Sequence, residues 1–259
     1  MPYEGLVASI GRRPGLRSGA ADLDRADAVL ARIIPSGSLE QIVFRVDVLH
    51  RLEDRGVCVM NSPCTIERTL DKSWTSALLE QCGLPTPETI VCESAEEALA
   101  GFRALGDVIV KPLFGSMGLG MVRVADEEMA FRVFRTIEEI RGVYYLQRMI
   151  EHDGRDIRAF ILGGRVLGAI ERRAEGWRTN LARGGSAQAV QLSESLSSLA
   201  VRAATAVGAA YAGVDLLQGR DGTTYVLEVN GIPGWQGLQE ATGLDVAGAL
   251  VERLAAAAP

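Results

Sequence analysis

Three oxygen-bearing side chains lie close together near the end of the sequence. Asp215 stands in one apolar stretch, and Glu228 and Asn230 stand in a second, so the pattern predicts a β-hairpin around a polar turn. If the turn is centred on Arg220–Asp221, Asp215 faces Val226, and the other two donors follow on the same side. Two carboxylates and an amide carbonyl are ligands that Mg²⁺ takes when it also holds phosphates. A solvated hairpin face is the alternative, but buried paired acids need a cation, and we therefore predict a metal site.

A glycine-rich segment, Gly115–Gly120, separates two apolar stretches in the middle of the chain. Glycine lets the backbone approach a phosphate closely and point its N–H groups at the oxygens. The segment lacks the Gly-Lys-Ser/Thr ending of a P-loop and the glycine order of a dinucleotide fingerprint, and a strand rather than a helix follows it. We therefore predict a flap that covers phosphates between two antiparallel strands. An ordinary mobile hairpin is the alternative.

Two lysines are placed where they can meet phosphates beside this flap. Lys111 ends the apolar stretch that leads into the flap, and Lys72 follows Asp71 on an earlier predicted helix. Either lysine alone is typical of a solvated surface charge. Together with the flap and the acids, they predict a pair of ammonium groups that bind nucleotide phosphates.

Arginines are concentrated in one region of a chain whose formal net charge is −6. Planar guanidinium groups bind carboxylate and phosphate oxygens through two parallel hydrogen bonds, so the region indicates an anion pocket. A solvated basic edge strand is the alternative, and Asp156 and Glu171 can neutralise part of the charge internally. The arginines are Arg158, Arg172, Arg173, Arg178 and Arg183, and the last of them precedes Gly184–Gly185.

Composition narrows the class of protein. The chain has 259 residues, of which 47% are hydrophobic and 23% charged, a balance typical of a globular protein. The net negative charge argues against a dedicated nucleic-acid binder, because no global positive field is present to hold a phosphate backbone. The longest uncharged apolar run, Ala203–Val214, is too short to span a bilayer, and the first residues lack the pattern of a secretory signal. We expect a cytoplasmic protein that binds neither nucleic acid nor a membrane.

The predicted elements place these residues on an α/β scaffold. A strand at Ala28–Ile34, a helix at Leu39–Arg55 and a strand at Val57–Met60 indicate a parallel α/β unit. One continuous helix is predicted from Arg68 to Gln81, where Gly83 and two prolines follow. Further helices are predicted over residues 94–106, 127–141, 195–210 and 246–255, and strands over 108–111, 121–124, 144–150, 157–162, 166–170, 214–218 and 223–229.

In this order, the motifs resemble the ATP-grasp ligases of the RimK and LysX group, which are α-L-glutamate and amino-group-carrier ligases. The resemblance covers the chain from Arg68 to its end, and so many ordered matches are far more specific than any single motif. The matching pieces are Asp71-Lys72, Val110-Lys111, the flap Gly115–Gly120, Leu146-Gln147, Asp156-Ile157-Arg158, Ile170-Glu171-Arg172-Arg173-Ala174, Arg178-Thr179-Asn180, Arg183-Gly184-Gly185, Gly213-Val214-Asp215 and Leu227-Glu228-Val229-Asn230.

The resemblance implies an α/β fold made of α+β lobes, the ATP-grasp fold, in which two lobes with antiparallel sheets and helices enclose ATP. It divides the chain into a shortened N-terminal α/β lobe (residues 1–66), a small lobe with the flap (67–143) and a large lobe with the metal hairpin (144–259). Relatives usually carry a fuller first lobe, and we expect this chain to lack the opening strand and helix of that lobe.

The resemblance also implies roles for the site residues, with ATP and Mg²⁺ as cofactors and Mn²⁺ as an alternative metal. One residue departs from the family, since an acidic residue commonly follows the glutamine where this chain has Arg148. The acceptor carboxylate and the anionic intermediate would be oriented by Arg158, Arg173, Asn180 and Arg183. The metal would be held by Asp215, Glu228 and Asn230. The nucleotide would be contacted by Lys72, Lys111, Gly115, Ser116, Met117, Gly118, Gly120, Gln147, Arg148, Met149, Ile150 and Asp156.

Within the group, the segments Gly37–Gln41, Asp47–His50 and Asn230–Trp235 look similar to RimK-like proteins associated with tetrahydromethanopterin-dependent one-carbon metabolism. The implied reaction adds L-glutamate to a small-molecule carboxylate acceptor, a cofactor precursor, through an acyl phosphate. Glutamylation of a protein C-terminus or of an amino-group carrier protein is a second hypothesis, and a nucleotide-binding scaffold without turnover is a third. A thin first lobe with many apolar residues predicts a homo-oligomer, either a dimer or a tetramer.

Overall fold

The computed structural model describes residues 3–115, 118–174, 176–178 and 186–258. Their strands are β1 (Leu6–Ala8), β2 (Leu16–Ser18), β3 (Ala21–Asp22), β4 (Ala28–Leu30), β5 (Cys58–Met60), β6 (Thr89–Cys92), β7 (Val108–Lys111), β8 (Val122–Val124), β9 (Tyr144–Arg148), β10 (Arg155–Leu162), β11 (Arg165–Arg173), β12 (Ser186–Ala189), β13 (Tyr211–Gln218) and β14 (Thr224–Asn230). Their helices are α1 (Leu39–Glu53), α2 (Pro63–Leu70), α3 (Lys72–Gln81), α4 (Ala95–Leu105), α5 (Glu127–Glu139), α6 (Glu194–Ala206), α7 (Gln236–Thr242) and α8 (Val246–Ala257). None of these helices is long and apolar enough to cross a membrane.

These strands pair into four sheets. The first sheet is antiparallel, with the order β1-β2-β3, and the second is the parallel pair β4-β5. The third, called the small sheet, is antiparallel with the order β6-β9-β7-β8. The fourth, called the large sheet, is antiparallel with the order β12-β11-β10-β13-β14. The small and large sheets carry most of the residues to which the sequence assigns chemistry.

The parallel unit β4–α1–β5 forms as the sequence predicts. Helix α1 begins after Ser38, whose hydroxyl accepts the N–H of Gln41 while the Gln41 side chain accepts the N–H of Ser38. The buried side of the helix packs Leu49 and Leu52 against Leu16 of β2. The antiparallel sheet β1-β2-β3 was not predicted, because its strands have at most three residues, too few to establish a period in the sequence.

The continuous helix predicted from Arg68 to Gln81 is wrong, because the chain breaks at Asp71. Helix α2 ends at Leu70, and Asp71 has extended backbone angles, with φ −89° and ψ 106°. Its carboxylate accepts the backbone N–H groups of Ser73 (2.8 Å) and Trp74 (3.1 Å) and so caps the start of α3. The apolar spacing continues across this break, and only the capping contact reveals it.

The small sheet is covered by α4 and α5, whose Phe102 and Phe134 pack against Val110 and Leu146. Strand β9 pairs with both β6 and β7, so residues 144–148 belong to this sheet and not to the large lobe to which the sequence analysis assigns them. Conversely, Leu79 of α3 packs in the core of the large sheet. The division into three lobes stays a prediction, with these two elements exchanged between the second and third lobes.

The large sheet is packed on both faces. Ala159 and Ile161 face a core that contains residues of α6, whereas Phe160 between them faces α7 and α8. Alternate residues of a strand point to opposite sides, so Asp156 and Arg158 share the side of Phe160. Strand β12 and the seven-residue helix α7 were not predicted. One face of the sheet therefore carries both an apolar core and a row of charged residues beyond it.

Candidate active site

A cleft of about 880 Å³, counted with its open mouth, is lined by residues of the small sheet, the large sheet and α3. Lys111 and Tyr145 come from the small sheet, and Asp215 and Glu228 come from the large sheet. The flap contributes Gly118. The structure thus brings a predicted lysine, both predicted acids and part of the flap around one space.

Asp215 and Glu228 lie directly opposite each other in the hairpin β13–β14. The predicted register is wrong, because Leu216 rather than Asp215 faces Val226. A regular ladder continued from that pair would match Asp215 with Leu227 and turn Glu228 to the other face. Instead, a β-bulge leaves Leu227 without a partner and returns Glu228 to the side of Asp215. The acids share one face as predicted, but through a bulge that the pattern did not indicate.

A buried ion network surrounds Asp215. Arg158 donates to both carboxylate oxygens through Nε and Nη2, each at 2.7 Å. Nη2 of Arg172 lies 2.9 Å from Oδ2 of Asp215, and Arg172 also forms a two-point ion pair with Asp156. Burial by itself raises the pKa of Asp215, but the two guanidinium groups outweigh burial and lower that pKa to about 2. Asp215 is therefore ionised at neutral pH.

The acid pair retains lone pairs for a divalent cation. An ionised carboxylate has about four acceptor positions, and guanidinium groups occupy only three of those on Asp215. Glu228 lines the cleft and accepts no hydrogen bond from the described residues. Asn230 ends β14 on the same side without lining the cleft, and its Oδ1 accepts the N–H of Ile232 at 2.9 Å, which leaves one lone pair. Two carboxylates and an amide oxygen with spare lone pairs fit Mg²⁺.

The two predicted lysines converge on the cleft. Lys111 is half-buried, and its Nζ donates to Oε1 of Gln147 at 2.6 Å. Burial lowers the pKa of Lys111 to about 8, although the negative charge of Glu228 opposes the shift. Nζ of Lys72 donates to the carbonyl oxygens of Leu113 (3.3 Å) and Gly115 (2.9 Å), and burial also lowers the pKa of Lys72. Two crowded, poorly hydrated ammonium groups favour an anion between them.

The lowered pKa of Lys111 predicts how stability changes with pH. Between about pH 8 and 10.5, the unfolded chain holds a proton on Lys111 that the folded protein has lost, so the free energy of unfolding rises with pH in this window. We expect this residue to contribute roughly 3 kcal/mol across the window. Urea denaturation of the nucleotide-free protein at several pH values, compared with Lys111→Met, measures it. Parallel pH curves for the two proteins would contradict the buried position of the amine.

The flap lies between β7 and β8 as predicted, and the local structure explains why one of its residues is glycine. Gly120 has φ +74°, and a Cβ at this position would lie 2.8 Å from Cγ of Pro112. Only glycine fits such a turn without displacing the proline. Gly118 and Gly115 line the cleft. Ser116 and Met117, which we also assigned to the nucleotide, lie outside the described residues.

The segment Gln147–Ile150 leaves the small sheet along its predicted path, but it does not line the cleft. Gln147 is buried between Lys111 and the hydroxyl of Tyr145, to which its Nε2 donates at 3.2 Å. The backbone N–H of Arg148 donates to Glu88 and that of Met149 donates to Asp107, so neither is free for an adenine ring. The guanidinium of Arg148, the residue that departs from the family, also binds the Glu88 carboxylate. A structural partner therefore accounts for Arg148.

Of the residues predicted to orient the acceptor, the structure describes Arg158 and Arg173, and it places only Arg158 beside the acids. Arg158 lies on Asp215, whereas Arg173 is directed away from the cleft and binds Glu171 at the surface. Arg172, its neighbour on the opposite face of β11, lines the cleft instead. Alternate residues of a strand share a face, so Arg172 lies on the same face of β11 as buried Ile170, and Arg173 lies on the opposite face. Asn180 and Arg183 lie outside the described residues.

Arg178 is a cleft residue that the site assignment missed. It lines the cleft beside the flap, and its Nη2 donates to the carbonyl oxygen of Met121, which directly precedes β8. Its guanidinium lies 4.4 Å from the centre of the Trp177 ring, and its buried Nε finds no hydrogen-bond partner among the described residues. An unsatisfied buried donor in a cleft favours an anionic ligand. The sequence signal was available, because Arg178 belongs to the predicted arginine cluster.

Known protein families and individual proteins have sequences similar to this chain. A profile of the RimK-like ATP-grasp domain matches residues 69–254. The tetrahydromethanopterin:α-L-glutamate ligase of Methanosarcina acetivorans is 39% identical, and the match covers 92% of this chain and 82% of that protein. A protein of the same name from Methanocaldococcus jannaschii is 35% identical and spans 90% of this chain and 80% of its own length.

Solved structures agree on the fold. The ATP-grasp ligase PsnB, complexed with a minimal precursor, Mg and ADP, superposes with a TM-score of 0.73 at 22% identity, over 97% of this chain and 84% of its own. A D-alanine–D-alanine ligase from Bacillus anthracis, complexed with ATP, gives a TM-score of 0.69 at 23% identity, over 89% and 78% of the two chains. The predicted fold is confirmed: the protein has the ATP-grasp fold, and the chain belongs to the family of RimK-like ATP-grasp domains.

Proposed function

We propose that this protein is an ATP-dependent ligase that adds L-glutamate to a carboxylate of a tetrahydromethanopterin-type or related one-carbon cofactor precursor. The observation that carries the ligase assignment is the cleft, in which Asp215 and Glu228 face each other beside the buried amine of Lys111. The two relatives named for tetrahydromethanopterin support the choice of acceptor, since both span most of this chain.

The proposed reaction has two steps. An oxygen of the acceptor carboxylate attacks the γ-phosphorus of ATP, which forms an acyl phosphate and releases ADP. The amino group of glutamate then attacks the acyl carbon, the C–N bond forms, the C–O bond to phosphate breaks, and the proton lost by the amine ends on the departing phosphate. Positioning and charge neutralisation account for most of such catalysis, and no nucleophilic side chain is required.

The chain's own residues would divide this work. Lys111 and Lys72 neutralise phosphate oxygens, and the flap beginning at Gly115 keeps water away from them. Asp215, Glu228 and Asn230 would hold the metal, and three oxygen ligands suit Mg²⁺, with Mn²⁺ as an alternative. When bound, Mg²⁺ neutralises charge that develops on the transferring phosphoryl group.

The arginines would bind the acceptor and the acyl phosphate. Arg158 and Arg172 already lie beside Asp215, and Arg178 brings to the same cleft an N–H that no described residue accepts. Asn180, Arg183 and Arg173 belong to the set implied by the family, and Arg172 replaces Arg173 in our proposal on the basis of its position. Planar guanidinium groups suit both carboxylate and phosphate oxygens.

A peptide acceptor is the second candidate. It is favoured by the similarity in fold to PsnB, which was solved with a minimal precursor. Glutamylation of a protein C-terminus or of an amino-group carrier protein would use the same cleft. A scaffold that binds nucleotide without turnover is the third candidate, and the intact acid pair and lysines argue against it.

One assay separates these candidates. The purified protein is incubated with ATP, Mg²⁺ and L-glutamate, and with either a pterin-type carboxylate or a peptide ending in glutamate, while ADP release and product mass are followed. We expect glutamate-dependent ADP release and a mass gain of one or more glutamates on the pterin-type acceptor. A mass gain on the peptide alone would move the assignment to the second candidate. Binding of ATP without release of ADP, whichever acceptor is present, would favour the scaffold.

The setting of the reaction is also part of the proposal. We place it in the cytoplasm, where ATP and cofactor precursors are present, without nucleic-acid or membrane partners.

We further propose a homo-oligomer, a dimer or a tetramer, because Leu39, Val43 and Phe44 expose apolar surface on one helix, α1. Light scattering coupled to gel filtration tests this, and a monomer at micromolar concentration would contradict it.

A further inference from the structure

Asn61 is a fully buried amide that connects the first part of the chain to the hairpin carrying Asp215 and Glu228. Its Nδ2 donates to the carbonyl oxygens of Tyr211 (2.7 Å) and Gly231 (2.6 Å). Its Oδ1 accepts the backbone N–H groups of Ala210 (2.7 Å) and Tyr211 (3.1 Å). An asparagine side chain has two N–H donors and two lone pairs, so every hydrogen-bonding position of this amide is used.

These four hydrogen bonds lie where the hairpin's own ladder ends. Its last Cα pair joins Gly213 of β13 to Asn230 of β14. Tyr211 begins β13, and Gly231 directly follows Asn230. The Asn61 amide therefore bridges the two strands beyond their last pair, where backbone hydrogen bonds no longer hold them together.

The bridge also bears on the orientation of Asn230. Gly231 is held by Asn61 on one side, and on the other side Thr69 of α2 leaves no room for a Cβ at Gly231. The next N–H along the chain, that of Ile232, donates to Oδ1 of Asn230. Because a buried hydrogen bond fixes the Gly231 carbonyl, the turn that directs the Asn230 side chain is fixed with it.

We infer that Asn61 is a positioning residue for the metal site, which sets the distance and orientation of Asn230 relative to Asp215 without touching the ion. This inference rests on the proposed function, because it requires that Asn230 and the two acids hold Mg²⁺. Residues that orient metal ligands typically change metal affinity 10–100-fold when replaced. We expect the loss of Asn61 to raise the Mg²⁺ concentration needed for half-saturation roughly tenfold.

The competing explanation is that Asn61 only joins two parts of the fold. Thr65 provides a matched control for that explanation, since it is buried on α2 and its hydroxyl donates to the carbonyl oxygen of Gly208 at 2.9 Å. It makes the same kind of long-range connection between the same two parts of the chain, but it does not contact the open end of the hairpin. Thr65→Val removes this bond with little change of shape.

The experiment measures metal binding by thermal shift, without turnover. Wild type, Asn61→Asp and Thr65→Val are melted with saturating ADP over a series of Mg²⁺ concentrations. Asn61→Asp keeps the shape but replaces both N–H donors with a carboxylate oxygen facing two carbonyl oxygens. We expect both variants to have a lower Tm without Mg²⁺, and only Asn61→Asp to require more Mg²⁺ for the half-maximal shift. Affinity for ADP without Mg²⁺ is expected to stay unchanged.

The outcomes distinguish the inference from the proposed function. If Asn61→Asp and Thr65→Val both show the wild-type Mg²⁺ dependence, Asn61 is structural and the inference is overturned. If wild type itself shows no Mg²⁺-dependent shift, the proposed metal site fails first. Should Asn61→Asp not fold, Asn61→Ala replaces it, because it removes the bridge without introducing a buried charge.

Discussion

Glu228→Gln is expected to lower kcat by more than about 100-fold and to leave the Tm of the nucleotide-free protein unchanged. The substitution preserves shape and removes one of the two negative charges that face each other across the hairpin. Two arginines already neutralise the charge of Asp215. Glu228 therefore supplies the negative charge that would bind a cation. Without it, the remaining ligands carry too little negative charge to hold a divalent ion against a triphosphate.

Steady-state ADP release over a range of Mg²⁺ concentrations checks this expectation. Glu252→Gln, on the exposed face of α8, is the matched control, because it makes the same chemical change away from the cleft. We expect the control to keep wild-type kcat. Full activity in Glu228→Gln would remove the hairpin from the proposed mechanism.

Lys111→Met is expected to lower kcat/KM for ATP on the order of 100-fold and, at pH 7, to raise the stability of the nucleotide-free protein. Both effects have one cause. Burial lowers the pKa of Lys111 to about 8, so at pH 7 the folded protein holds a poorly solvated positive charge that methionine does not carry. The same poorly hydrated charge is what a phosphate oxygen would bind strongly.

Urea denaturation and ATP kinetics on the same samples test the pair of effects. Lys72→Met serves for comparison, because Lys72 donates to the carbonyl oxygens of Leu113 and Gly115 and its replacement removes those hydrogen bonds. We expect Lys72→Met to lose affinity for ATP without the gain in stability. A Lys111→Met protein that is both less stable and fully active would show that the amine serves the fold alone.

Much of the candidate site could be predicted from sequence, because its chemistry is carried by local patterns. The acids lie in two apolar runs around a polar turn, which predicts a hairpin whatever the rest of the chain does. The glycines of the flap and the lysine before them form an equally local signal. For the same reason the parallel unit β4–α1–β5 and most helices were predicted close to their bounds. Residue type and spacing were sufficient for these features.

What only the tertiary structure decided is which side chains meet. One unpaired residue, Leu227, determines whether Glu228 faces Asp215 or turns away, and a bulge leaves no mark in a period-two pattern. The choice of Arg172 over Arg173 likewise depends on which face of β11 is covered. Asn61 reaches Gly231 across 170 positions of sequence. Such contacts arise from packing between distant segments, and therefore the sequence determined the chemistry while the fold determined its geometry.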